Sequence, residues 1–258
     1  MRVESVLDNK EIKVKWQFNS KEIEIVKKII ADQKNSCMVK KRYKENLAGD
    51  KEPVDRNAFW YEMVGSRMTS QQRSGPGSHV DNFLTKKPFP LNYETVKKEN
   101  DRQKFMKEKL TDTGIRFSIR ISEDLAENFN RLEGDLWEEV LKQCNSLIKA
   151  NSSAQDEKKV ADYIDKEFKG FGPKQSRNLL QSLGLTRYET PIDSRVMKWL
   201  NEELGFFVPV HSSALDDNKF YDFISQMIQE LSKKAEVFPC VLDAAIFSLK
   251  DPGALPRD

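Results

Sequence analysis

The stretch that decides the fold reads Gly170-Phe171-Gly172-Pro173-Lys174-Gln175-Ser176-Arg177-Asn178-Leu179-Leu180-Gln181-Ser182-Leu183-Gly184, followed by Pro191-Ile192-Asp193-Ser194-Arg195. Before it, Val160, Ala161, Ile164 and Phe168 recur at helical spacing; within it, Leu179, Leu180 and Leu183 form a second apolar stripe. The pattern predicts helix, Gly-x-Gly turn, helix over about residues 157–184, with Gly184 as C-cap. Pro173 suits the first turn of the second helix, where no amide hydrogen is needed. Glycine admits positive φ and close approach to a ligand. The turn's amides and the dipole of the following helix are therefore suited to one phosphate. Read alone, the segment fits equally well a helical hairpin that merely turns on glycine.

Lys174 changes that balance. It falls in the first helical turn, where the macrodipole disfavours a cation. That field and partial burial both lower a lysine pKa, and a neutral amine is a nucleophile that forms Schiff bases. Asp193 follows 19 residues later, at the start of a helix carrying Met197, Leu200 and Leu204 and closed by Gly205. An aspartate there is a good N-cap, and a cap also fixes the direction of its carboxylate. The plainer readings are a solvated lysine and a purely structural cap.

Together these residues resemble the helix-hairpin-helix DNA glycosylases that are also AP lyases. The family has a catalytic lysine just after the hairpin and a catalytic aspartate 18 or 19 residues later; Lys174 and Asp193 match those positions. Monofunctional members lack the lysine, so the resemblance implies the bifunctional branch. The run Gly-Phe-Gly-Pro-Lys-Gln-Ser-Arg-Asn-Leu-Leu is most similar to the 8-oxoguanine glycosylases, especially the archaeal-type subclass. A second match is the apolar helix predicted from Asn57 to Met68, with Phe59, Trp60, Met63, Val64 and Met68 inward, running into Thr69-Ser70-Gln71-Gln72. In the family, an amide side chain from this loop fills the gap left by the extruded base. The resemblance gives that wedge role to Gln71, with Gln72 next, while the plainer reading is a polar loop. A weaker match, Phe238 to Leu249, implies that Phe247 lines the base pocket; it equally reads as core.

The departures bear on specificity. Many members have Asp-x-His where this chain has Asp193-Ser194-Arg195, which suggests a phosphate contact for Arg195. Four residues after the lysine, where some members contact the base, stands Asn178, neither cysteine nor histidine. The clustered cysteines of the iron–sulfur branch are missing: Cys37, Cys144 and Cys240 are scattered and read as reduced thiols, and two histidines make a zinc site improbable.

At 258 residues the chain can bury a sizeable core. Its net charge of +2 by itself predicts no nucleic-acid partner. The distribution is uneven, however: Lys and Arg outnumber Asp and Glu 26 to 17 over residues 1–120, and are outnumbered 17 to 24 over residues 121–258. That asymmetry suits a protein gripping a duplex on one side. The acidic run from Glu123-Asp124 to Glu138-Glu139 reads as a solvated face turned away from DNA.

Alternation at Ile12, Val14, Trp16 and Phe18, preceded by Val3 to Leu7, predicts a half-buried β-hairpin. Helices are expected over 21–30, 92–110, 123–129, 135–149, 156–168 and 213–234, with 39–55 a loop or short helix. The expected fold is mainly α, a two-lobed helical glycosylase architecture with a small N-terminal β-hairpin. The expected division is an N-terminal extension, residues 1–54, and a glycosylase region, residues 55–258. The functional expectation is a bifunctional glycosylase/AP lyase excising an oxidised base, with 8-oxoguanine first and an oxidised pyrimidine or a non-catalytic DNA-binding module as alternatives. Its residues are Lys174 and Asp193 for catalysis, Gly170, Phe171, Gly172, Gln71, Gln72 and Arg195 on DNA, and Asn178 and Phe247 at the base. It is expected to act as a cytoplasmic monomer on damaged double-stranded DNA, with no cofactor, metal or membrane partner.

Overall fold

The computed structural model describes residues 1–8, 11–49, 51–75, 77–149, 152–206 and 209–250, with side chains described outside 3–14. Strands β1 (Arg2–Asp8) and β2 (Glu11–Gln17) pair antiparallel, Val3 opposite Trp16 and Leu7 opposite Ile12. Burial of Ile12 and Val14, and of Val3 to Leu7 before them, lies outside the described side chains. Trp16 is buried, with its ring centroid 4.7 Å from that of Phe223 and 6.1 Å from that of Phe206.

The rest is helical: α1 (Ser20–Gln33), α2 (Cys37–Glu45), α3 (Arg56–Met68), α4 (His79–Leu84), α5 (Tyr93–Lys98), α6 (Arg102–Asp112), α7 (Ser118–Arg131), α8 (Trp137–Ser146), α9 (Ala154–Glu167), α10 (Pro173–Ser182), α11 (Ser194–Glu202), α12 (Asn218–Lys234) and α13 (Pro239–Lys250). The helix expected over 92–110 is two, because Glu99 leaves helical geometry and Asp101 caps α6 by accepting from the Lys104 amide. The helices expected over 123–129 and 135–149 are longer and nearly continuous, joined through a π-helical turn at Leu132–Leu136. That turn directs the Glu133 carboxylate onto the Tyr93 hydroxyl at 2.6 Å and the Trp137 indole N–H at 2.8 Å. The segment after Val39 is helical first: Ser36 caps α2 before the chain opens into a loop.

Two hydrophobic cores define two lobes. One gathers residues between Val54 and Leu185, with Phe59, Trp60, Met63, Val64 and Met68 of α3 all buried as their spacing predicts. The other joins Trp16, Val26, Ile29 and Val39 to residues from Ile192 to Ile246. The first core begins at Val54, next to the expected boundary, and the second takes residues from both ends of the chain. Within the N-terminal segment, α1 and α2 pack on α13 and share the second core. Sequence reading missed this because the partner surface lies some two hundred residues downstream.

Few connections cross between lobes, and each is pinned. The Asn46 side-chain amide donates to the Gln181 carbonyl at 3.1 Å and the Thr186 carbonyl at 2.9 Å. On the return crossing, the Glu157 carboxylate accepts from the amides of Arg187, Tyr188 and Glu189, each at 2.8 Å. The buried Tyr221 hydroxyl then donates to the Thr190 carbonyl and accepts from the Ile192 amide. These bonds fix the approach to Asp193.

Candidate active site

A cleft of about 1200 Å³ opens between the lobes and is lined from both. It brings together Lys174, Asp193, Gln71, Gln72, Arg195, Asn178 and Phe247, residues separated by up to 176 positions in the chain, along with Gly170 and Gly172.

The hairpin is built as expected. Gly170 has φ +75° and Gly184 φ +73°, and α10 begins at Pro173 with no side chain capping it. Asn128 holds the turn from outside, its amide donating to the Lys169 carbonyl and its oxygen accepting from the Lys169 amide. Beneath Gly170 lies a buried ion pair. Arg67 Nε and Nη2 both donate to Asp124 Oδ2, at 2.8 and 2.5 Å. Asp124 is thus no part of a solvated acidic face, contrary to the sequence expectation: it is 4% exposed and neutralised by an arginine from α3. A Cβ on Gly170 would collide with both partners. Gly170→Ala is therefore expected to cost roughly 3–5 kcal/mol, the scale of breaking a buried ion pair, which chemical denaturation would register; an unchanged midpoint would contradict this packing.

Phe171, between the two glycines, turns its side chain inward. Its side chain is buried against Phe168, and its amide donates to the Phe168 carbonyl, so it supports the turn from the core. An apolar residue inside a Gly-x-Gly turn is more simply read as packing than as contact.

Lys174 projects from the first turn of α10 into the cleft, where its Nζ donates to Thr69 Oγ1 at 3.2 Å. Burial lowers its pKa against the opposing pull of the Asp193 charge; Arg195 lowers it further, and Asp243 also opposes. Asp193 caps α11, Oδ1 accepting from the Arg195 and Val196 amides at 2.8 and 3.1 Å. Its Oδ2 takes the Arg195 guanidinium at 2.9 Å from Nε and 2.7 Å from Nη2. Burial alone would raise this carboxyl, but the Arg195 charge and hydrogen bond, with Lys174 and the Val196 amide, hold it below the ordinary range. The site therefore pairs an amine inclined to neutrality with a carboxylate that stays ionised. Arg195 also lies 4.0 Å over the Phe247 ring, so its guanidinium meets both that ring and the Asp193 carboxylate.

The two glutamines of the Gln71-Gln72 loop are held differently. Gln72 closes the loop: its Nε2 donates to the Met68 carbonyl and its Oε1 accepts from the Arg116 amide. Gln71 is exposed at the cleft with φ +53°, a conformation unfavourable for a side chain of its kind. Among the described residues, nothing hydrogen-bonds the Gln71 side-chain amide. Asn178 donates to Ser66 Oγ at 3.1 Å, tying α10 to the end of α3 while lining the cleft.

Sequence reading passed over Asp243, Gln181 and Arg42. Asp243 Oδ2 accepts from Gln181 Nε2 at 2.7 Å at the cleft wall. Burial pushes its carboxyl up to about 6, against the charge of Arg42. The Leu242-Asp243 pair within an apolar helix was the available signal. Among the described residues, no cluster of three or more His, Cys, Asp or Glu is placed to hold a metal ion, and no helix is long and apolar enough to cross a membrane.

Comparison with protein-family models gives no match, and comparison with curated proteins gives none. Comparison with solved structures does. The chain has the two-lobed helical fold of the 8-oxoguanine DNA glycosylases. It is similar to the Methanocaldococcus jannaschii 8-oxoguanine glycosylase/lyase, solved with a 15mer DNA containing 8-oxoguanine, at TM-score 0.66 and 16% identity, covering 90% of this chain and all of that one. It is also similar to the Thermotoga maritima 8-oxoguanine DNA glycosylase, at TM-score 0.63 and 16% identity, covering 90% of this chain and 97% of that one.

Proposed function

We propose that this chain is a DNA glycosylase with AP lyase activity, acting as a monomer on duplex DNA that carries an oxidised base, 8-oxoguanine first among candidates. The observation that carries the reading is that Lys174 and Asp193 line one inter-lobe cleft next to the glycine hairpin, each within reach of the other's charge. The shared fold supports it independently.

In this scheme the hairpin and the start of α10 anchor one strand through phosphate. The damaged nucleotide rotates into the cleft, at a cost of a few kcal/mol in lost stacking and pairing, while Gln71 occupies the vacated space. Neutral Lys174 forms a bond to C1′ as the glycosidic bond breaks; the bonding electron pair leaves with the base, which takes up a proton. Asp193 stabilises the positive charge that develops on the sugar. The sugar ring opens to give an imine, removal of a C2′ proton follows, and the 3′ phosphate is eliminated.

Two predictions follow from the division of labour in the cleft. Gln71→Ala is expected to slow base excision while leaving cleavage of a pre-formed abasic site nearly unchanged, since that substrate has no base to extrude; equal loss on both substrates would remove the wedge role. A panel of duplexes containing 8-oxoguanine, other oxidised purines and oxidised pyrimidines tests the substrate: preferential release of 8-oxoguanine is expected. Release of a pyrimidine lesion instead would redirect the assignment, and release of none with intact binding would leave a DNA-binding module.

A further inference from the structure

We propose that Thr69 is a positioning residue for Lys174, holding the amine through one N–H while leaving the nitrogen lone pair free to face the cleft. The inference rests on the reading of Lys174 as nucleophile.

Thr69 ends α3, and its hydroxyl is committed in one direction. The Oγ1–H donates to the Ser66 carbonyl at 2.8 Å. A hydroxyl carries one hydrogen, so toward Lys174 Nζ, 3.2 Å away, Thr69 can only accept. That polarity matters for a nucleophile. A hydroxyl donating to the amine would occupy the lone pair that must attack carbon, whereas an accepting one fixes the nitrogen and leaves the pair available. The loop bearing Thr69 is itself held to α10: Ser66 accepts from Asn178 at 3.1 Å and Ser70 from Gln175 at 2.7 Å. Arg67 adds a bond to Ser70 at 3.1 Å while paired with Asp124. The amine is thus referenced to the same segment that carries Gln71, so that base extrusion and nucleophile placement share one scaffold.

The charges acting on the Lys174 amine come from Asp193 and Arg195 at the start of α11 and from Asp243 on α13; Thr69 adds the neutral acceptor from the end of α3. Removing that acceptor destabilises the ammonium relative to the amine, which moves the acidic limb of the rate profile to lower pH. It also frees the amine to leave its attacking position.

The test is single-turnover borohydride trapping on a duplex with an abasic site, across pH, for wild type, Thr69→Ser, Thr69→Val and Thr69→Ala. Affinity for a duplex carrying a tetrahydrofuran abasic analogue is measured for each. The trapped step joins Lys174 Nζ to C1′ of the ring-opened sugar with loss of water, and borohydride reduces the resulting imine. Thr69→Val and Thr69→Ala are expected to lower the plateau rate roughly ten- to a hundredfold, the scale on which displacement of a reacting group by about 1 Å acts. Their acidic limbs should move to lower pH, with analogue affinity retained. Thr69→Ser should restore both rate and profile. Using two variants that lack the hydroxyl guards against one that folds poorly. Wild-type rates and profiles in Val and Ala, or a Ser variant as slow as they are, would overturn the role of Thr69 while leaving the lysine chemistry intact. Absence of any adduct with wild type would overturn both that chemistry and the present inference.

Discussion

Lys174→Gln is expected to abolish strand cleavage at an abasic site and every borohydride-trapped adduct, while binding to an abasic-analogue duplex stays within a few fold of wild type. Gln keeps a hydrogen-bond donor near Thr69 but has no amine able to form an imine. Burial lowers the wild-type lysine's pKa, so the cleavage rate should rise with pH and reach its plateau below the ordinary lysine value of about 10.4. The direction follows from the chemistry: the ammonium form is unreactive, so activity disappears as pH falls through the lowered pKa. Asp193 contributes no competing limb in this range because its carboxyl lies below its usual value and stays ionised. Cleavage surviving in Lys174→Gln would assign the nucleophile elsewhere.

Asp193→Asn is expected to separate the two halves of the reaction. Asparagine is as good an N-cap as aspartate, so α11 should keep its start and the substitution tests charge. Without that charge, the cation developing on the sugar during base loss has no partner, and excision is expected to slow by roughly 10²- to 10³-fold. Imine formation at a pre-formed abasic site has the opposite dependence. Asp193 holds the Lys174 pKa up, so its neutralisation favours the free amine and moves the acidic limb of trapping to lower pH. Single-turnover base release and abasic trapping, measured side by side, check this; parallel losses in both would mean that Asp193 serves mainly to shape the site.

The sequence made the hairpin legible because its determinants are local. Gly170 and Gly184 do adopt positive φ, Pro173 does open α10, and the apolar stripe of α3 is buried. Lys174, Asp193 and Gln71 do meet in one cleft, although 122 positions separate the outermost two. What was not legible depends on distant partners. Asp124 looks like a surface charge until Arg67 is seen beneath the hairpin. That the Arg195 guanidinium meets both Asp193 and Phe247 is likewise invisible in the sequence. The first 45 residues read as an appendage because the face of α13 that α1 and α2 cover is invisible to local periodicity. Gln71 and Gln72 cannot be told apart by residue type; only the hydrogen bonds that immobilise Gln72 separate them.

In the proposed chemistry Lys174 becomes covalently joined to the sugar of a damaged nucleotide. Borohydride trapping on a duplex containing 8-oxoguanine opposite cytosine, followed by proteolysis and mass mapping of the adduct, tests it most directly. The expected result is a reduced adduct on Lys174, obtained with the lesion duplex and with an abasic control but not with undamaged DNA. An adduct on a different residue, or none on either substrate despite binding, would rule out Lys174 as the nucleophile.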